Sequence, residues 1–218
     1  MGKLTDIFKG NVSGESPDWV TRLPEADETD QLLTVAAYMG SAAWVALHKK
    51  DEKGRWQMIM TTPGAIGYNG LGKTKEGDLK TPIGSFHFDK AFGLADDPGC
   101  IVPYTKVNED HYWSGDKREG MHFNELVNIK DCPGLDTERS EHLVEYKRQY
   151  QYCLNIDYNK ECDKTAGYAI FLHCLGPKSQ STEGCVAIPE DQMKVVMENV
   201  TPDCIIVINT QENLRADI

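Results

Sequence analysis

The 218-residue chain lacks any apolar run approaching the ~20 residues that a helix needs to cross a bilayer. Residues 1–10 carry no apolar stretch of the kind found in a secretory leader. None of the seven cysteines sits in a CxxC pair, so the spacing of a zinc knuckle is missing. The Gly-rich stretch at 63–80 fits GxxxxGK[ST] spacing from Gly67 to Thr74 but lacks a helix after it and runs into strand-type residues, which excludes a phosphate-binding loop of that kind. Positive charge is scarce: 23 Lys and Arg face 34 Asp and Glu, a formal net charge of −11. Nucleic acid is therefore not an expected partner, because phosphate binding draws on basic patches. Three lysines, Lys73, Lys75 and Lys80, do share one loop, and they face either an anionic ligand or water.

An apolar fraction of 40% is enough to build a core. We expect one folded unit over 31–218, preceded by an extension at 1–30 that forms a short helix or a free arm. Stretches 31–37, 42–48 and 55–62 read as an antiparallel meander with Trp44 and Trp56 in the core. A strand is expected over 81–89 and a helix over 137–150, and further strands over 152–158 and from Gly167 to His173. Pro189, Glu190 and Asp191 open a helix with an apolar stripe of Met193, Val196, Met197 and Val200. The apolar run at 205–208 reads as a central strand. His111 and His122 are read as non-ligands, and no metal site is expected.

The chemistry concentrates late in the chain. An apolar run, Ala169-Ile170-Phe171-Leu172, reads as a strand that delivers His173 at its end. A loop rich in Gly, Pro, Ser and Thr follows and closes on Thr182-Glu183-Gly184-Cys185, twelve positions after the histidine. A loop between neighbouring strands can bring imidazole and thiol together. A free thiol is mostly protonated near neutral pH, and an adjacent imidazole can accept its proton and release the nucleophilic thiolate. Gly184 lets the backbone turn so that N–H groups converge on an oxyanion. The same residues also fit a buried structural cysteine.

The stretch around His173, Thr182, Gly184, Cys185 and Val186 resembles the signature of the L,D-transpeptidase catalytic domain, the YkuD-like family: a strand ending in His, a variable loop, then Ser/Thr-x-Gly-Cys. Upstream, Gly72 to Phe86, with Thr81-Pro82-Ile83-Gly84, resembles the family's Gly/Lys-rich loop leading into Thr-Pro-x-Gly-x-Phe. The chain departs from many members at Cys174, where Gly is common, at Glu183, where His is common, and at Ala187, where Arg is common. A carboxylate at Glu183 would raise the thiol pKa.

The resemblance implies a mainly β fold, an L,D-transpeptidase-type curved sheet or sandwich with a few short helices. It implies a transpeptidase that uses Cys185 as nucleophile, His173 as base, Thr182 to orient the loop, and the N–H groups of Gly184 and Cys185 as oxyanion donors. Asn124 and Tyr112 are the expected substrate-binding residues. The implied partner is the peptidoglycan stem peptide, cross-linked 3→3 through a thioester, in bacterial cell-wall organisation and cell shape. A carboxypeptidase or endopeptidase on the same scaffold, or a non-catalytic peptidoglycan-binding module, are the alternatives. No metal or organic cofactor is implied. The expected form is a monomer in the cell envelope, periplasmic or extracellular, with its export segment removed. With Cys185 as nucleophile, six cysteines are left; Cys153 and Cys162 read as a local disulfide, and Cys174 and Cys204 as buried thiols.

Overall fold

The computed structural model describes residues 14–176 and 180–216. It begins with β1 (Gly14–Glu15), α1 (Asp18–Thr21) and a 3-10 turn (Pro24–Asp27). The expected meander follows as β2 (Gln31–Met39), β3 (Ala42–Lys50) and β4 (Trp56–Ala65). Next come β5 (Gly84–Gly93), β6 (Tyr104–Lys106), β7 (His111–Gly115), β8 (Phe123–Asn128), β9 (Glu141–His142) and β10 (Cys153–Ile156). The chain ends with β11 (Phe171–Cys174), β12 (Val186–Ile188), α2 (Glu190–Asn199), β13 (Ile205–Thr210) and α3 (Gln211–Leu214).

The principal sheet runs β4-β12-β11-β10-β5-β13-β2-β3, and β3 pairs again with β4, so the path closes into a barrel-like ring. β1 and β6 attach to β4 and β5. A second sheet, β8-β7-β9, stands beside the ring. The fold is thus mainly β with short helices, as expected.

Period-two alternation decides which side chains enter the ring. On β2 and β13, Leu33, Val35, Ile206 and Ile208 join the main core, while Leu32, Ala36, Ile205 and Val207 face the other way into a second cluster. That outer cluster also holds Trp19, Val20, Leu23 and Ala26, so residues 14–30 include the expected short helix and pack on the sheet. A strand covered on both faces needs a continuous apolar run, which is why 205–208 shows no polar alternation. As expected from its stripe, α2 sends Met193, Val196 and Met197 into the main core.

Two expectations are corrected. Residues 137–150 do not form a helix: they contain β9 and two single 3-10 turns, Leu143–Glu145 and Gln149–Gln151. Pairing of Trp113 with Glu141, together with burial of Tyr150 against Phe92 and Phe171, outweighs a helical propensity worth only tenths of a kcal/mol per residue. Nor do Cys153 and Cys162 form a disulfide. All seven cysteines are free thiols; Cys153 is fully buried in β10, and Cys162 donates to the Phe123 carbonyl at 3.3 Å. Cys174 and Cys204 are buried, as expected.

Candidate active site

β11 and β12 are parallel neighbours, with His173 opposite Ala187. The connection between them leaves the end of β11 and returns to the start of β12, and Cys185 is the residue just before β12. His173 and Cys185 therefore line one cavity of about 630 Å³. Its wall also includes Lys73, Glu141, Tyr150 and Thr182. Beneath it, Phe171 packs edge-on against Phe92 and Trp113, with ring centroids 5.1 and 4.7 Å away.

His173 is buried, and its Nδ1 lies 2.9 Å from the carbonyl oxygen of Cys174. A carbonyl only accepts, so Nδ1 carries the proton and Nε2 is left with its lone pair, ready to act as a base. Burial pushes the imidazole pKa down to about 4, so the ring is neutral at physiological pH. Cys185 is buried, and burial followed by the nearby Glu141 carboxyl pushes its thiol pKa up to about 12. Its Sγ donates to the Ala169 carbonyl at 3.4 Å and accepts the Phe171 N–H at 3.3 Å. The resting pair is thus a neutral thiol parked on backbone and a neutral imidazole.

Three hydroxyl contacts pin the backbone around Cys185. Thr182 Oγ1 donates to the Cys185 carbonyl at 2.6 Å and accepts the Gly184 N–H at 3.1 Å. Thr81, fully buried, donates to the same carbonyl at 3.2 Å while accepting the Gly67 N–H at 2.8 Å. The main chain of Thr182 is itself fastened to Ile66 and Tyr68. Gly184 has φ +142°, and a Cβ there would lie 2.9 Å from the Lys80 carbonyl oxygen. Its N–H, expected as an oxyanion donor, is directed at Thr182 in this resting arrangement.

Asn124 and Tyr112 do not line the cavity. Asn124 Oδ1 accepts from Trp113 Nε1 at 2.9 Å and from the Ala169 N–H at 3.0 Å, and its Nδ2 donates to the carbonyls of Tyr158 and Asn159. It thereby holds Ala169 at φ +56°, the residue whose carbonyl receives the thiol. Tyr112 stacks on His142 at 4.4 Å, on the second sheet. Glu183 does raise the thiol pKa, as expected, but Glu141 raises it more.

The sequence model of the L,D-transpeptidase catalytic domain (YkuD) matches residues 43–208. The chain belongs to that family. No curated protein matches the YkuD chain by sequence. Among solved structures, it is similar to the helical cell shape determining protein Pgp2 from Campylobacter jejuni. Identity there is 14% and the TM-score 0.44, with 95% of this chain and 54% of that one covered. It is also similar to L,D-transpeptidase 1 from Mycobacterium tuberculosis, with 14% identity, a TM-score of 0.35, and 82% and 62% of the two chains covered. The chain thus spans about half the length of the first protein and under two thirds of the second.

Within this YkuD domain, four site residues escaped the sequence reading. Glu141 and Tyr150 lie in the segment expected to be helical. There Tyr150 Oη donates to Glu141 Oε2 at 2.7 Å, and the Tyr150 ring meets His173 edge-on at 5.6 Å. Burial, more than the neighbouring Glu183, raises the Glu141 carboxyl to about 7. Ala169 was read as a plain strand residue. Thr81 stood inside a family motif with no role attached, and its hydroxyl could be recognised only once Cys185 was placed beside it.

Proposed function

We propose that this domain is a cysteine-dependent L,D-transpeptidase that joins peptidoglycan stem peptides 3→3 through a thioester on Cys185, in the bacterial cell envelope. The observation that carries the reading is the meeting, on one cavity wall, of a thiol and an imidazole whose Nε2 is free to accept a proton.

The chemistry begins with rotation of the thiol from the Ala169 carbonyl towards Nε2 of His173. A free thiolate–imidazolium pair is disfavoured in so buried a place, so the proton moves as sulfur bonds to carbon. Sulfur attacks the carbonyl of the third stem residue, and Nε2 takes the thiol proton. The tetrahedral intermediate collapses, the C–N bond to the terminal D-Ala breaks, and Nε2 returns the proton to the departing amine. A thioester is left on Cys185. The amine of a second stem then attacks it and forms the new amide; its proton passes through Nε2 back to sulfur. Thr182 and Thr81 hold the Cys185 backbone throughout, and Asn124 acts as a positioning residue through Ala169.

The test is incubation with tetrapeptide muropeptides and separation of products by mass. Cross-linked dimers are expected, and a Cys185→Ser variant should give none. Tripeptide monomers alone would make water the acceptor and the domain an L,D-carboxypeptidase. Unchanged muropeptide, with no covalent adduct after exposure to a carbapenem, would sink the catalytic reading in favour of a binding module.

A further inference from the structure

Of the three lysines in the 73–80 loop, Lys73 alone among the described residues lines the cavity. It forms an ion pair with Asp78 at 3.1 Å, and the two side chains are only 3% and 8% exposed. The loop is built around this pair. Asp78 Oδ2 accepts the N–H groups of Thr74 and Lys75 at 2.8 and 3.1 Å, and Oδ1 accepts that of Lys80 at 3.0 Å. Lys73 Nζ also donates to the Lys75 carbonyl at 3.2 Å. An ammonium has three donors, so one is left for a group in the cavity.

Gly167 makes room for it, and Gly184 lies within ordinary contact distance of its ammonium. A Cβ on Gly167 would lie 2.8 Å from Lys73 Cε, and one on Gly184 would lie 3.6 Å from Lys73 Nζ. The ammonium thus sits against the residue that precedes the nucleophile. Burying an ion pair costs several kcal/mol per ion before attraction repays it, and an apolar pair of similar volume would often serve stability as well. A cation fixed in advance beside a site of developing negative charge is, by contrast, what acyl transfer needs.

We propose that Lys73, caged by Asp78, is a positioning cation that sustains negative charge at Cys185, on the sulfur as its proton leaves and then on the tetrahedral oxyanion. The proposal rests on Cys185 as the nucleophile and extends that reading to the loop. The Lys73 charge also pulls the thiol pKa down, against burial and Glu141. With the Gly184 N–H directed at Thr182, the ammonium supplies positive potential that this N–H does not.

The test follows carbamidomethylation of Cys185 by iodoacetamide from pH 6 to 11, read on its own peptide by mass spectrometry so that the other cysteines do not interfere. Lys73→Met should slow alkylation about tenfold at each pH across this range, as a thiol that gives up its proton about one pH unit later would. Lys73→Arg should restore most of the rate. If Lys73→Met does not fold, Lys73→Gln, which keeps a donor towards Asp78 but no charge, should show the same slowing. Wild-type alkylation in folded variants overturns the proposal. So does unchanged alkylation with a raised KM for tetrapeptide, which would assign the ammonium to a substrate carboxylate. Alkylation needs no peptidoglycan, so a protein inert on muropeptides but dependent on Lys73 here would keep this inference and lose the proposed function.

Discussion

Replacing Thr81 by Val changes little in volume and removes one hydroxyl from a fully buried position. That hydroxyl accepts the Gly67 N–H at 2.8 Å and donates to the Cys185 carbonyl at 3.2 Å. The carbonyl keeps its Thr182 partner, so its loss is one ordinary hydrogen bond, about 1 kcal/mol. The Gly67 N–H is left without an acceptor in a place closed to water, at about 1–3 kcal/mol. The sum, about 2–4 kcal/mol, corresponds to a fall in melting temperature on the order of 10 °C for a domain of this size. Thr81→Ser keeps both bonds and gives up one methyl group, about 1 kcal/mol. Thermal unfolding by circular dichroism, alongside the rate of covalent adduct formation at Cys185, separates the two. Thr81→Val should melt well below Thr81→Ser and acylate more slowly, because the Cys185 backbone has lost one of its two fasteners. If Thr81→Val is as stable as Thr81→Ser and acylates at the wild-type rate, the hydroxyl does not anchor the site, and the link drawn between the Thr-Pro segment and Cys185 is wrong.

Two other outcomes are expected. His48 and His173 are both buried and lowered to about 4 from an ordinary 6.5, so between those values the unfolded chain binds protons that the folded one refuses. The histidine contribution to stability should therefore be level above about pH 6.5 and fall as pH drops towards 4, by up to about 3 kcal/mol per histidine. Glu141, raised to about 7, works in the opposite sense over an overlapping range and offsets roughly one of the two. Urea midpoints at pH 7 and pH 4.5 check the net direction, and a flat or inverted profile would mean that the rings are hydrated. Gly184→Ala should cost about 1–3 kcal/mol through its backbone conformation and the 2.9 Å approach to the Lys80 carbonyl. Because it displaces Cys185, it should slow adduct formation at least about tenfold; a wild-type adduct rate in the folded variant would refute this.

What could be read in advance was the part written in local pattern. The apolar run before His173 and the Gly-Cys step before Val186 each announce a strand boundary, and two neighbouring boundaries define a cavity mouth. The strand itself starts at Phe171, two residues later than the apolar run, because Ala169 takes a left-handed turn that its own type does not advertise. Asn124 was legible as important but not as a strut, since its four partners come from three distant segments. The Lys73–Asp78 cage depends on three backbone N–H groups converging on one carboxylate, a property of loop conformation that composition does not encode. The 137–150 stretch misled because its apolar spacing fits one helical face, whereas the second sheet and the aromatic cluster claim the same residues.

The fastening of the Cys185 carbonyl by Thr81 and Thr182 has a consequence for how such a domain can diversify. Both fasteners lie outside the middle of the crossover that joins β11 to β12, and the Thr182 main chain is tied to Ile66 and Tyr68, outside that crossover. The crossover can therefore be lengthened, shortened or rewritten without shifting the sulfur. Crossover residues that line the cavity, such as Gly176 and Ser181, can thus vary while the sulfur stays in register.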